Sequence, residues 1–373
     1  MNRILLAITL LSIILNSCKD KPLESNNNII IGKRDTIFSK VYNEKRVVWV
    51  SVPSDFNKYF PPRNYPVVYL LDGPEHFLST VGIIDRFSTN FGSEVCPQMI
   101  VVGIESNDRY NDFFPNFDND KYTTFLRDEL MPYIKNRYPT IPYKVLIGHS
   151  LGGLRVIHTA LYSSYLFNSY IAIDPSLGAE KNKWFSIAAK DINQFRLINN
   201  RLFVAMAQTM PISKTQKIDE IRKDTSSDSN HMRMIIDFSE KMVKKNEENN
   251  ISFKWKFYQD ETHSGVTQIA TYDGLKFVFG WYQNENLKEI LDVNTSPEKA
   301  MELLRNYYSR ISANLGSKEI PLEYYNTVFI DFLISRKQKE KALAWSMYNL
   351  ECYPESKNAQ EYVEKLKKES KTD

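Results

Sequence analysis

Four runs in this 373-residue chain lack a polar face: VVYLLDG (67–73), QMIVVGIES (98–106), SYIAIDPS (169–176) and RLFVAMAQT (201–209). A strand with one wet side alternates apolar and polar residues, whereas a continuous apolar run of this length is buried on both faces. Such strands need helices above and below them. The intervening sequence supplies these: 121–138 carries Phe125, Leu126, Leu130, Tyr133, Ile134 and Tyr138 at helical spacing, and HMRMIIDFSEKMVKKN (231–246) repeats the pattern. Buried strands alternating with amphipathic helices predict an α/β chain with a mostly parallel sheet and helices on both faces. Before the first of these runs, 35–56 reads as two strands around a polar turn at Asn43-Glu44-Lys45, and ISFKWKFYQ (251–259) reads as the last strand.

The ends of the chain differ in character. Arg3 precedes an apolar run over 4–15, shorter than the roughly 20 residues of a spanning helix, so 1–18 reads as a secretory signal. Its end, Leu15-Asn16-Ser17-Cys18, resembles a bacterial lipoprotein processing site, although Asn16 is not the usual small residue there. The resemblance implies that Cys18 carries a lipid, with 19–34 as a linker and the protein held at the cell envelope. Of the other two cysteines, Cys96 and Cys352 are expected to be separate buried thiols. No clustered His/Cys spacing suggests a structural metal. The net charge of +3 and the absence of a basic, aromatic-interleaved patch argue against nucleic acid. Beyond about residue 288 the strand pattern stops. Ser296 and Pro297 open a helix, Gly316 stops it, and KALAWSMYNLECYPES resembles part of a tetratricopeptide-type (TPR-like) unit. The expected domains are 35–288 and a small all-helical appendage, 289–373, either a cap on the main domain or a surface for a protein partner.

The chemistry concentrates in VLIGHSLGGL (145–154). Gly148-His149-Ser150-Leu151-Gly152 fits G-x-S-x-G between a buried strand and an apolar-periodic helix. In that context the serine sits on a strained turn with its oxygen raised above the sheet at a helix N-terminus. A serine hydroxyl needs a base to become a nucleophile. Of the five histidines, His263 follows the last strand, the position expected of the base in Ser…acid…His order. His76 and His231 are rivals, His149 is expected to point away from the serine, and His158 is expected to pack within its helix. The acid is sought after the strand 201–209, among Asp219, Glu220, Asp224 and Asp228; Asp224, beside hydroxyl residues, is preferred, with Glu261 as a further candidate. The oxyanion hole needs two backbone N–H groups. Leu151 supplies one. The other falls in residues 72–75, where Pro74 has no N–H, leaving Gly73 or Glu75, with Gly73 preferred.

With these residues in place, NEKRVVWVSVPSDF, YPVVYLLDG, IVVGIES…RYNDFFP, IGHSLGG, IDPSL and ETHSGV, in that order over roughly 35–285, resemble the putative-esterase family of α/β-hydrolases. That family includes esterase D, siderophore esterases, feruloyl esterases and mycolyltransferases. The resemblance implies an α/β-hydrolase fold, cofactor-free cleavage of a small-molecule, polysaccharide or siderophore ester, and Ser150 and His263 as nucleophile and base. It names neither the acid nor the substrate. Two alternatives stand beside hydrolysis: acyl transfer to an alcohol, and a non-catalytic binding lipoprotein that works through its helical tail.

Overall fold

The computed structural model describes residues 29–56, 63–89, 92–192, 200–211, 217–249 and 251–369. Cys18 and the expected signal segment lie outside them. The chain divides into residues 1–31 and residues 32–373, and every element below belongs to the second unit. Eight strands form one sheet: β1 (Lys33–Ser39), β2 (Glu44–Ser51), β3 (Tyr65–Leu71), β4 (Ile100–Ile104), β5 (Thr140–His149), β6 (Ser169–Ile173), β7 (Arg201–Ala207) and β8 (Ser252–Tyr258), in spatial order β1-β2-β4-β3-β5-β6-β7-β8. β1 pairs with β2, and β2 with β4, antiparallel; the other five pairings are parallel.

Alternate residues of the central strands enter two separate cores. Tyr69 and Leu71 of β3, Leu146 of β5, Ala172 of β6 and Val204 of β7 face one side, with Leu154, Val156 and Ile157 of the helix after β5. Leu70, Ile147, Ile173 and Ala205 face the other, with Phe77 and Ile84 of α1 (Gly73–Ser88) and Leu275 and Val278 of the helix after β8. This two-sided burial is the physical content of the apolar runs: neither face meets water, so neither needs polar residues.

The ladder also positions the site. Parallel pairing of Leu70 with Ile147, and of His149 with Ile173, sets the C-terminal ends of β3, β5 and β6 side by side. At these ends stand the short helix α2 (Arg109–Phe113), which follows β4, the helices α3 (Leu151–Tyr162) and α4 (Ala179–Asp191), α5 (Asn230–Asn249) after β7, and α6 (Val266–Val278) after β8.

The C-terminal region is helical: α7 (Pro297–Leu315), α8 (Glu323–Ser335), α9 (Lys339–Cys352) and α10 (Lys357–Glu369). The Ser296 side chain accepts from Lys299 N–H at the start of α7, and Gly316, at φ 65°, ends it. Ile311 and Leu315 of α7 join the second of the sheet's two cores, while Leu304, Ile330, Leu333 and Trp345 make a third, purely helical one. Asn326 bonds on both sides inside it, accepting from Trp345 Nε1 and donating to Asn349 Oδ1. Both described cysteines are free; Cys96 is buried as expected, Cys352 only partly so. No described helix is long and apolar enough to cross a membrane.

Candidate active site

Between β5 and α3 the chain turns at Ser150, whose backbone sits at φ 59°, ψ −118°. A non-glycine residue there costs on the order of 1–3 kcal/mol, so the surroundings must enforce it. Three backbone bonds do so: Ser150 N–H donates to Ile173 O at 2.9 Å, and Ser150 O accepts from Ser176 N–H and Leu154 N–H, each at 3.0 Å. The turn is stitched to the end of β6 on one side and opens α3 on the other. Its tightness explains the glycines. A Cβ on Gly148 would lie 2.5 Å from Gly152 O, and one on Gly153 would lie 2.9 Å from Ile173 O.

His263 lies in the loop after β8, and its Nδ1 is 2.5 Å from Asp174 Oδ2. Asp174 directly follows β6, fully buried, in the left-handed region at φ 41°. Its Oδ1 accepts from Ala207 N–H at 2.8 Å, and its own N–H donates to Ala205 O at 2.8 Å. Burial opposes ionisation of Asp174, but the contacts from His231 and His263 and the Ala207 N–H outweigh it and hold the carboxyl down at about 2. An ionised carboxylate only accepts. His263 therefore carries its proton on Nδ1 and presents a bare Nε2, the tautomer a general base requires.

The acid expected from sequence is corrected by this geometry. Asp224 caps the short helix Ile218–Lys223 and accepts from Ser226 N–H at 2.7 Å; it is not the carboxylate at His263. Asp219 pairs with Arg222, Glu220 accepts from Lys217 N–H, and Asp228 is an exposed loop residue. The Glu261 carboxylate faces Gly265, while its carbonyl accepts from Gln208 N–H. Sequence reasoning passed over Asp174 because it looked only after β7. The available signal was the abrupt change from a buried strand to Asp-Pro in SYIAIDPS.

The His149 ring packs against that of His263. It is buried beneath the site, with Nε2 2.8 Å from the His263 carbonyl, to which it donates. Burial, together with repulsion from His263 and His76, pushes its pKa down to about 4, so it is neutral. Four of the five histidines form a row, with centroids 5.6 Å apart for His76–His149, 4.5 Å for His149–His263 and 5.6 Å for His263–His231. The fifth, His158, packs in α3 as expected, its Nδ1 accepting from Trp184 Nε1 and its Nε2 3.2 Å from Asp120.

Leu151 and Gly73 are the first residues of α3 and α1, so their N–H groups have no acceptor within their own helices. Glu75 N–H is taken by Asp72 O at 3.2 Å, which leaves Gly73 of the two donors the sequence allowed. The turn before Gly73 is fixed by charge. Asp72, left-handed at φ 52°, receives a two-pronged bond from Arg109 at 2.8 and 2.9 Å, and the same guanidinium donates to His149 O at 3.2 Å. Among the described residues Ser150 Oγ pairs with Ser176 Oγ, 3.1 Å away, and makes no hydrogen bond to His263. Such bonds often form only with substrate in place. Beside α2 and α3 runs an open groove of about 860 Å³ lined by Tyr110, Phe114, Phe117, Arg155, Lys183 and Trp184.

Asp174, His231 and His263 also converge as a group of metal-type donors, all within 4.8 Å. Two of their separations, 2.5 and 3.1 Å, are shorter than the roughly 3.3 Å between ligands of a tetrahedral zinc, and the first is a hydrogen bond. The fit to a metal is poor.

A strained serine at a strand-to-helix elbow, an Asp–His pair at the neighbouring strand ends and a mostly parallel eight-stranded sheet define a serine hydrolase of the α/β-hydrolase superfamily. The family model described as Putative esterase matches residues 39–193 of the chain. The chain is similar to a siderophore enterobactin esterase of Emericella nidulans, 23% identical over 245 residues, covering 57% of this chain and 81% of the relative. It is also similar to the ferri-bacillibactin esterase BesA of Bacillus subtilis, 31% identical over 165 residues, 36% of this chain and 55% of the relative. Among solved structures, an IroE-like serine hydrolase from Shewanella oneidensis superposes with a TM-score of 0.67 at 23% identity, over 86% of this chain and 99% of that one. The chain is accordingly a carboxylic-ester hydrolase.

Proposed function

We propose that Ser150 attacks the ester carbonyl to form an acyl-enzyme, with His263 as base and then acid and Asp174 as the residue that orients it. One observation carries this reading: the 2.5 Å contact of Asp174 Oδ2 with His263 Nδ1, which leaves Nε2 bare at the strand ends where Ser150 is held above the sheet. Attack places negative charge on the carbonyl oxygen, and the N–H groups of Leu151 and Gly73 stabilise it. His263 returns the proton to the leaving alcohol, and water, activated by the same imidazole, releases the acid.

The substrate class we infer is a siderophore-type ester, on the strength of the two relatives named for such substrates. In this reading the protein is exported and lipid-anchored through Cys18. The successive packing of α8, α9 and α10 supports a TPR-like tail.

The test compares wild type with Ser150→Ala on catecholate lactones, feruloyl esters and short-chain p-nitrophenyl esters, together with labelling by a fluorophosphonate. The wild type is expected to label and to prefer the lactones. Ser150→Ala, which removes one oxygen and no packing, should lose on the order of 10⁶ in turnover and fail to label. A folded wild type that neither labels nor cleaves any of these esters refutes the mechanism; cleavage without preference for lactones refutes the substrate class alone.

A further inference from the structure

His231 is left unused by the mechanism above. It is the second residue of α5, and its Nε2 stands 3.1 Å from Asp174 Oδ2, the same oxygen that His263 approaches from the other side. The two imidazoles meet edge to face, 5.6 Å between centroids and 85° between planes. Nε2 is buried and off-line for a hydrogen bond, so it lacks an aligned partner. Leaving a buried N–H unpaired is costly, and the acceptor within reach is Asp174 Oδ2, which a small rotation of the His231 ring would engage. Because ionised Asp174 only accepts, Nε2 must carry the proton.

We propose that His231 is a positioning residue of this esterase site: its Nε2–H completes the donor set on Asp174 and thereby sets the basicity of His263. The inference rests on the catalytic reading given above. Each donor on a carboxylate drains charge from it. With Ala207 N–H on Oδ1 and two imidazoles on Oδ2, Asp174 is held in one orientation but is a weaker acceptor for His263 than it would be with one histidine alone. Among the described residues, His149 packs against His263, His76 lies beyond His149, and Asp260 and Glu261 share the His263 loop, where Glu261 faces Gly265. His231 is the neighbour that shares the carboxylate.

The experiment compares His231→Phe, which keeps a ring without the donor, and His231→Gln, which restores an N–H, with wild type. It follows kcat and KM for a p-nitrophenyl ester from pH 5 to 9, fluorophosphonate labelling, and thermal melting. In His231→Phe, kcat should fall about tenfold to a hundredfold with KM within twofold. The acid limb of kcat/KM should move to higher pH, because an undiluted carboxylate stabilises the imidazolium. His231→Gln should recover most of kcat and return the limb toward wild type. The proposal is overturned if His231→Phe keeps the wild-type profile, or if KM alone rises. It is equally overturned if both variants lose activity in step with melting and without a shift of the limb. Its failure is distinct from failure of the catalytic reading: a wild type that labels at Ser150 upholds that reading whatever His231 does.

Discussion

Replacing Asp174 by Asn is the most direct test of how this site is wired. The substitution is nearly isosteric, and its effect follows from what surrounds each oxygen. Oδ1 accepts from Ala207 N–H at 2.8 Å, so the amide oxygen of the variant settles there. The amide nitrogen is then placed at Oδ2, 2.5 Å from His263 Nδ1 and 3.1 Å from His231 Nε2. An NH₂ group donates, so His263 must turn its lone pair to Nδ1 and carry its proton on Nε2. That tautomer cannot accept a proton from Ser150. Inverting the tautomer while preserving the geometry costs on the order of 10⁴ in kcat. The assay is steady-state ester hydrolysis, with fluorophosphonate labelling as a second readout of serine activation. Asp224→Asn is the control: its side chain caps a turn through Ser226 N–H, and turnover should stay within twofold of wild type. If Asp174→Asn retains more than a tenth of the activity, or Asp224→Asn is the more damaging change, the wiring argued here is wrong.

Gly148→Ala would put a Cβ 2.5 Å from Gly152 O and should destabilise the protein by about 3 kcal/mol or more, with loss of labelling at Ser150; a variant that melts with wild type would show that the elbow has room to spare. The depressed pKa of His149, from the usual 6.5 to about 4, means the unfolded chain binds the extra proton first, so stability should fall as pH drops from about 6.5 to 4, by up to ~3 kcal/mol. In denaturant titrations His149→Phe should flatten that slope without abolishing it, because burial also lowers the pKa of His76 and His158; an unchanged slope would count against a neutral His149. In cells fed labelled palmitate, the wild type should take up label and Cys18→Ala should not, and equal labelling of both would remove the lipid anchor from the proposed function.

The sequence by itself determined the fold class and singled out Ser150 and His263 as candidates for the chemistry. Continuous apolar runs required a doubly covered parallel sheet, because hydrophobic burial acts through local pattern alone. The glycines around Ser150 announced a turn too tight for side chains, and the position of His263 after the last strand followed from chain order. What only the tertiary structure decided was which carboxylate and which further histidines join them. Asp174 and His263 are 89 residues apart, and their meeting depends on the parallel register of β6 with β5 and β7 and on a left-handed turn that aims one carboxylate oxygen at the loop after β8. Asp224 and Asp174 look alike in sequence, each polar and near hydroxyl residues, because a side chain's direction is set by neighbours that strand pairing brings from elsewhere. His231 and His149 gained their places in the same way. The choice of Gly73 over Glu75 turned on one hydrogen bond within a turn, the bond from Glu75 N–H to Asp72 O. Residue type and spacing limit which groups are available for chemistry; the packed sheet selects among them, since hydrogen bonds act only over the last few ångströms.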